Sequence, residues 1–326
     1  MNFTKKILLF LLALLLIMFL LEKIYDFAYN NNLEVKSTYV LKNKIDADIV
    51  FLGPCEPLII NDPKIIEEYT KMKTYNLATN HSCFAENYLH FYLYLKNNKP
   101  PKYLFLYVTN ESLDGDFNLF NTFRFPHLLN DTVVANTVKD KDPTYYKYSW
   151  IPFMKYSYYN YFVIYNVAQG IKHFLFNIDY PEYHKYGYKY PEFPKLWDTR
   201  LEKILTSYPN GYYYRFNKAE IKYLLKIIEL AKRNNTKLIL FESPVLNEYK
   251  PYMKNRKEML DLTHKLATEN KIEYWVFDTL DMCNDRNNFF SILITHKKSS
   301  DIFTKKLCKY FIENCQLNNS VNCNKK

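Results

Sequence analysis

Glycine is the residue this sequence can least spare, with 5 in 326 positions. Loops that cradle phosphates need several glycines close together, because only glycine lets the backbone turn tightly around an anion. Neither GxGxxG nor GxxxxGK[ST] occurs, which argues against nucleotide-binding enzymes of those types. Metal-ligand patterns are missing as well. The cysteines Cys55, Cys83, Cys283, Cys308, Cys315 and Cys323 form no CxxC pair and no cluster with histidine, so neither a metal nor a cofactor is expected. No A-x-A-like cleavage site follows the N-terminal apolar run.

That run is the strongest compositional signal present. Lys5 and Lys6 precede an unbroken apolar stretch from Ile7 to Leu21, which Glu22 and Lys23 close and which Ile24, Tyr25, Phe27 and Ala28 extend. The pattern reads as an uncleaved signal anchor in preference to a cleaved peptide, touching the bilayer through residues 7–28. Basic residues at its start place the N-terminus inside and everything after residue 30 outside. In such a compartment the six cysteines can pair, though spacing does not give connectivity; buried free thiols with a tail cysteine at Cys323 are the alternative. Cys308 and Cys315 fall on one face of an expected helix, too far apart to bridge each other. A net charge of +10 favours anionic surfaces such as phospholipid headgroups or acidic envelope polymers. The lysines are scattered and the anchor implies another compartment, so nucleic acid is not an expected partner.

Beyond the anchor, apolar strand patterns alternate with helical ones. Residues 48–53, 74–78, 102–108, 237–241 and 274–277 read as strands. Helices are expected over 63–69, 84–96, from Asn217 through the amphipathic run NKAEIKYLLKIIELAKRNN, over 255–269 and over 300–314. Five strands separated by helices imply a doubly wound parallel sheet, with the ligand site at the carboxyl ends of its strands. Residues 111–216 interrupt the alternation as a long, helical, aromatic-rich insertion. Its centre, Phe153–Phe176, reads as an aromatic helix, Tyr180–Trp197 as a Tyr/Pro-rich loop, and the region around Phe125-Pro126-His127 carries no assigned element. These aromatics either pack the insertion onto the sheet or form a carbohydrate-stacking or membrane-facing surface. The expected layout is thus an anchor over 1–30, an α/β domain over 31–316 and a flexible tail over 317–326.

Four short blocks carry chemistry. Gly53-Pro54-Cys55 follows the first strand, Asn76-Leu77-Ala78-Thr79-Asn80-His81 the second, and Tyr107-Val108-Thr109-Asn110-Glu111 the third. The fourth runs from Phe289 to Thr304 around His296. Taken in order with the anchor, the Ser243-Pro244 turn and the terminal Ile-Phe-Thr-Lys-Lys-Leu helix, these blocks resemble membrane-anchored bacterial SGNH (GDSL-like) hydrolases. They are similar in style to the extracytoplasmic proteins acting on acyl esters of cell-envelope polymers, including the D-alanyl transfer protein of teichoic acid modification. The resemblance covers nearly the whole chain through short motifs. It implies a flavodoxin-like sheet in the bacterial cytoplasmic membrane's outer compartment and an envelope glycan or acylated polymer as partner. A membrane acyltransferase is a further implied partner.

Carried over position by position, the resemblance puts Cys55 where the family has its serine nucleophile, His81 at the oxyanion glycine, and Asn110 at the oxyanion asparagine. The backbone amide of Cys55 would be a further oxyanion donor. Glu56 beside Cys55 raises the thiol pKa instead of lowering it. The last block should read Asp-x-x-His, but counted back from Ile302-Phe303-Thr304 the base position falls on Ile294 and the acid position on Ser291. A two-residue slip offers His296 as base with Leu293 in the acid position, and Asp278, Asp281 and Asp285 precede the loop. Two functions remain: an esterase or acyltransferase using Cys55, His296 and Asn110, or an inactive SGNH-like protein that binds in the same crevice. Ordinary roles compete at each position: an inert thiol, a surface or capping histidine, a turn asparagine.

Overall fold

The structure is a computed structural model that describes residues 3–114, 120–178, 181–188, 190 and 200–316. Cys323, the tail 317–326, and residues 180, 189 and 191–197 of the Tyr/Pro-rich stretch lie outside these. The chain divides into two compact units, residues 1–43 with 120–180 and residues 44–119 with 181–326.

The second unit is built on five parallel strands: β1 (Ile49–Leu52), β2 (Thr74–Asn76), β3 (Tyr103–Tyr107), β4 (Lys237–Glu242) and β5 (Glu273–Val276). They lie in the order β2-β1-β3-β4-β5. Phe51 pairs with Phe105, Phe105 with Ile239, and Phe241 with Trp275. Parallel strands need crossovers, and the helices Pro63–Thr70, Phe84–Asn97, Lys218–Arg233 and Arg256–Asn270 fall between them as the hydrophobic periodicity predicts. Asp62 caps the first through Lys64 N at 3.0 Å, and Asn217 caps the third through Ala219 N at 2.9 Å.

Alternation along each strand divides the core. Ile49, Phe51, Phe105, Tyr107, Ile239, Phe241 and Trp275 point to one face, where Phe303, Leu307, Cys308 and Phe311 of the helix Lys297–Phe311 cover them. Here the aromatic excess has a packing role: Phe51 stacks on Phe105 at 4.8 Å, and Phe311 meets Phe105 edge-on at 5.6 Å. That last helix starts at Lys297, three residues before the expected Ser300, and continues into a wider π turn, Ile312–Gln316. A short helix, Cys55–Ile60, and an antiparallel hairpin of β6 (Phe289–Ser291) and β7 (Ile294–Thr295) had no strong periodicity to announce them.

The first unit gathers around the N-terminal helix Phe3–Asn31. Its Ile7–Ile17 portion is exposed, and it is long and apolar enough to cross a membrane. The expected aromatic helix is split into Met154–Ser157 and Asn160–Phe176. The break falls where Tyr159 leaves helical geometry (φ −119°, ψ 56°) and its hydroxyl donates to Asp142 Oδ2 at 2.8 Å. The aromatics Tyr156, Phe153 and Tyr159 pack with Val163 and Val167 against Ala28 and Tyr29 at the C-terminal end of the N-terminal helix. Gly170 makes this approach possible, since a Cβ there would lie 1.8 Å from the Ala28 carbonyl oxygen. Helices Thr132–Lys141 and Pro143–Tyr148 complete the unit, begun by the side-chain caps of Asp131 and Asp142.

Candidate functional site

β1 delivers the chain to Gly53, whose φ of +147° suits glycine alone, and a Cβ there would meet Tyr107 Cβ at 2.7 Å. The Gly53 carbonyl accepts from Thr79 N at 3.0 Å and from Ser82 Oγ at 2.8 Å. The Cys55 turn and the His81 turn are therefore tied at one atom. Asn76 reinforces the tie: its amide nitrogen donates to Pro57 O at 2.7 Å and Asn61 O at 3.2 Å, and its oxygen accepts from Ala78 N at 3.1 Å. One side chain thus satisfies carbonyls at the end of the Cys55–Ile60 helix and shapes the exit of β2.

Cys55 and His81 line one cleft of about 300 Å³ at these strand ends. Glu56 and Glu111 line it too, with Lys203, Ser207 and Tyr208 from the helix Arg200–Ser207 and its C-terminal turn. The remaining wall is Ser291, Ile292, Leu293 and Ile294, the tip of the β6–β7 hairpin. Of the charged residues that line the cleft, Glu56 was singled out from sequence as the neighbour of Cys55, whereas Glu111 and Lys203 were not. Glu111 was visible only as the neighbour of Asn110, and Lys203 and Ser207 share a helix face by their i,i+4 spacing.

The Cys55 thiol is half-buried and lies 3.7 Å from Glu56 Oε2. Burial raises its pKa well above the usual thiol value, and the negative charges of Glu56 and Glu111 push it further in the same direction. The thiolate is the nucleophile, so this environment opposes attack. His81 is exposed and sits in the left-handed region, φ +54°, a conformation that costs a residue with a Cβ but not glycine. The position that the resemblance assigns to glycine thus keeps a glycine-like backbone.

Asn110 is buried at the exit of β3, opening the short helix Asn110–Asp114. Its Oδ1 is 3.5 Å from Arg256 Nη1, and its Nδ2 has no hydrogen-bond partner among the described residues. It does not line the cleft. Arg256 itself is committed to Glu242, with two bonds of 2.9 Å, and to Asp278 at 2.7 Å. Burial would raise the Asp278 pKa, but the hydrogen bond from Arg256 overrides it and holds the carboxyl below its ordinary range. Asp285 caps Asn287 N at 2.9 Å, and Asp281 is exposed on its turn. None of the three aspartates weighed as a triad acid lines the cleft.

His296 is not among the residues that line the cleft with the thiol. It precedes the helix Lys297–Phe311, donates its backbone N–H to Asn288 O at 3.0 Å, and sets its ring 6.2 Å from Phe290, outside the cleft lining. Ile294 and Ser291, the two positions reached by ungapped counting, line the same cleft as Cys55. The sec-butyl side chain of Ile294 cannot accept a proton, and a serine cannot orient an absent imidazole. Cys55 and His81 are brought together, while Asn110 and His296 stand apart from them.

Among the described residues no group of three or more His, Cys, Asp or Glu side chains is arranged to hold a metal, and Cys55, Cys83, Cys283, Cys308 and Cys315 are free thiols. No protein-family model matches the chain, and no curated protein matches it significantly.

Proposed function

We propose that this chain is an extracytoplasmic SGNH-hydrolase-like protein, derived from enzymes that act on acyl esters of envelope polymers, whose crevice binds its ligand without hydrolysing it. The observation that carries the reading is the pairing of Cys55 with Ile294 and Ser291 in one cleft, with His296 outside it. Triad members act as a unit, so loss of base and acid together removes most triad-derived catalysis. The strand order β2-β1-β3-β4-β5, which is that of flavodoxin-type sheets, and the crevice at the strand ends support the SGNH-like layout.

The cleft chemistry suits a glycan of the cell envelope. Glu56 and Glu111 offer acceptors for sugar hydroxyls, Tyr208 a ring face, and Ile292 and Leu293 an apolar wall for acyl groups or the faces of pyranose rings. The N-terminal helix keeps the protein at the cytoplasmic membrane with its N-terminus inside, and a membrane acyltransferase is a fitting partner for such an accessory. The alternative reading, a thiol esterase, keeps Cys55 in the cleft but finds neither His296 nor Asn110 among its lining residues.

The test uses the full chain in detergent micelles, with 4-nitrophenyl acetate turnover and calorimetric binding of O-acetylated and bare chitotetraose. Wild type and Cys55→Ala should turn over ester equally at background rate, with measurable glycan binding that Glu111→Gln weakens. Turnover above background that disappears in Cys55→Ala would establish the esterase and end the binding-only proposal.

A further inference from the structure

The first unit carries a second apolar surface besides its N-terminal helix. In the helix Asn160–Phe176, Ile164, Tyr165, Ile171, Phe174, Leu175 and Phe176 are all substantially exposed, and Leu175 and Phe176 reach 63% and 71% exposure. Its opposite side is occupied: Val163, Val167 and Gly170 pack on the N-terminal helix. A helix apolar on its packed side and its open side alike is matched to a medium other than water. It contains no acidic residue, and its one lysine, Lys172, is exposed.

Contacts fix the direction in which this surface points. Asn32 Nδ2 donates to Asn166 Oδ1 at 3.0 Å, Gly170 abuts Ala28, and Phe174 meets Phe27 edge-on at 4.9 Å. Residue numbers rise on one helix as they fall on the other, so the pair is antiparallel. The C-terminal turn, with Phe174, Leu175 and Phe176, is carried back along the N-terminal helix toward its exposed apolar portion. From Phe3 to Leu21 that helix rises about 28 Å, close to the roughly 30 Å of a bilayer's hydrocarbon core. Glu22 then marks the lipid boundary.

A second segment reaches the same level. Phe153 N donates to Glu22 Oε2 at 2.7 Å, and the Phe153 ring packs edge-on against Tyr25 at 4.9 Å. Three residues earlier in the chain, Trp150 is 79% exposed. Tryptophan at the depth where a spanning helix leaves the hydrocarbon is the usual occupant of the interfacial belt.

We propose that the C-terminal turn of Asn160–Phe176 and the Trp150 turn rest in the headgroup and upper acyl layer of the same bilayer that the N-terminal helix crosses. They make the first unit a monotopic collar around its own anchor. The occupant is lipid, because the exposed apolar surface is continuous through Phe27 and Phe174 with the helix that already requires it. Lys172 sits where an anionic headgroup would receive it. This inference rests on the reading of Phe3–Asn31 as a membrane anchor.

The experiment reconstitutes the full chain into vesicles of phosphatidylcholine and phosphatidylglycerol in which part of the phosphatidylcholine carries bromine at acyl carbons 6 and 7 or at 11 and 12. The Trp150 signal is the difference between wild type and Trp150→Phe. It should lose at least half its intensity to the shallow bromines and less to the deep ones, and a Leu175→Trp reporter in the Trp150→Phe background should behave in the same way. Indifference of both reporters to bromine, with full quenching by aqueous acrylamide, would overturn the collar. Shielding of Leu175→Trp from bromine and acrylamide alike would also overturn it and assign the surface to a second copy or a partner. Alkaline carbonate extraction of the same vesicles separates the two readings: release of the protein refutes the anchor itself, whereas retention with unquenched reporters refutes only the collar.

Discussion

Ile294 shares a cleft with Cys55, and it is the residue on which the resemblance, counted without gaps, puts the base. The hairpin pairing of Ser291 with Ile294 fixes both residues on that wall and leaves His296 beyond it, at the start of the last helix. Converting the wall should therefore install what is missing. The triple variant Cys55→Ser, Ser291→Asp, Ile294→His is expected to hydrolyse 4-nitrophenyl acetate at least about tenfold faster than wild type, a modest part of the 10²–10⁴ that positioned acid–base groups supply. Equal rates would show that the hairpin tip does not occupy the base position.

The thiol itself should be sluggish. Glu56 and Glu111 both oppose its ionisation, so removing their charge favours the thiolate. In the Glu56→Gln, Glu111→Gln variant, iodoacetamide should modify Cys55 several-fold faster at pH 8 than in wild type. The rate is read by mass spectrometry of the Cys55 peptide, with Cys55→Ala as the blank.

His81 offers a stability test of the cleft backbone. At φ +54° a β-carbon is strained, and glycine relieves the strain while adding entropy to the unfolded chain. His81→Gly is expected to stabilise the second unit by up to about 1 kcal/mol, and His81→Val to destabilise it by about 1–2 kcal/mol. Urea unfolding followed by Trp275 fluorescence measures both.

Gly170 has no tolerance for a side chain. Even a methyl group would overlap the Ala28 carbonyl, so Gly170→Leu must push the two helices apart at a cost of about 1–3 kcal/mol or more. Amide exchange across residues 163–173 should accelerate in the variant and remain unchanged in the strands of the second unit.

His127 makes the first unit sensitive to acid. Burial, with Lys155 and Lys42 adding repulsion, lowers its pKa from 6.5 to about 3, and its Nε2 pairs with Thr38 Oγ1 at 3.0 Å. The unfolded chain therefore takes up a proton below pH 6.5 that the folded one refuses until about pH 3. Stability from this residue is complete above pH 6.5 and is lost as pH falls between those values, by about 2 kcal/mol at pH 5. Exchange of residues 122–138 should show this slope in wild type and a flatter one in His127→Gln.

The five strands and the helices between them were legible because burial on both faces of a parallel sheet demands continuous apolar runs, and amphipathic crossovers demand helical spacing. Asp62 and Asn217 cap the helices that follow them, as the structure shows. The hairpin at Phe289–Thr295 was not legible: two very short strands leave no period to detect, and Ile292-Leu293 at its tip are apolar where a turn is expected to be polar. Ser291 and Ile294, the positions from ungapped counting, line the crevice, as does Leu293 of the slipped pair, while His296 does not. Glu56 was legible as the neighbour of Cys55, whereas Glu111 gains its influence on the thiol from turns meeting in space, which spacing along the chain does not encode. The first unit was obscured for a related reason, since its aromatics pack on a helix more than a hundred residues away in sequence.

The N-terminal helix runs from Phe3 to Asn31 without interruption, and Glu22 and Asp26 on its inner turns both hold Lys155 at 3.0 Å. A folded unit grown directly from such a helix has no leash. Were the helix to span a bilayer, the unit could spin about the membrane normal and drift in the plane but not swing out, and a molecule meeting it would have to come to the lipid surface.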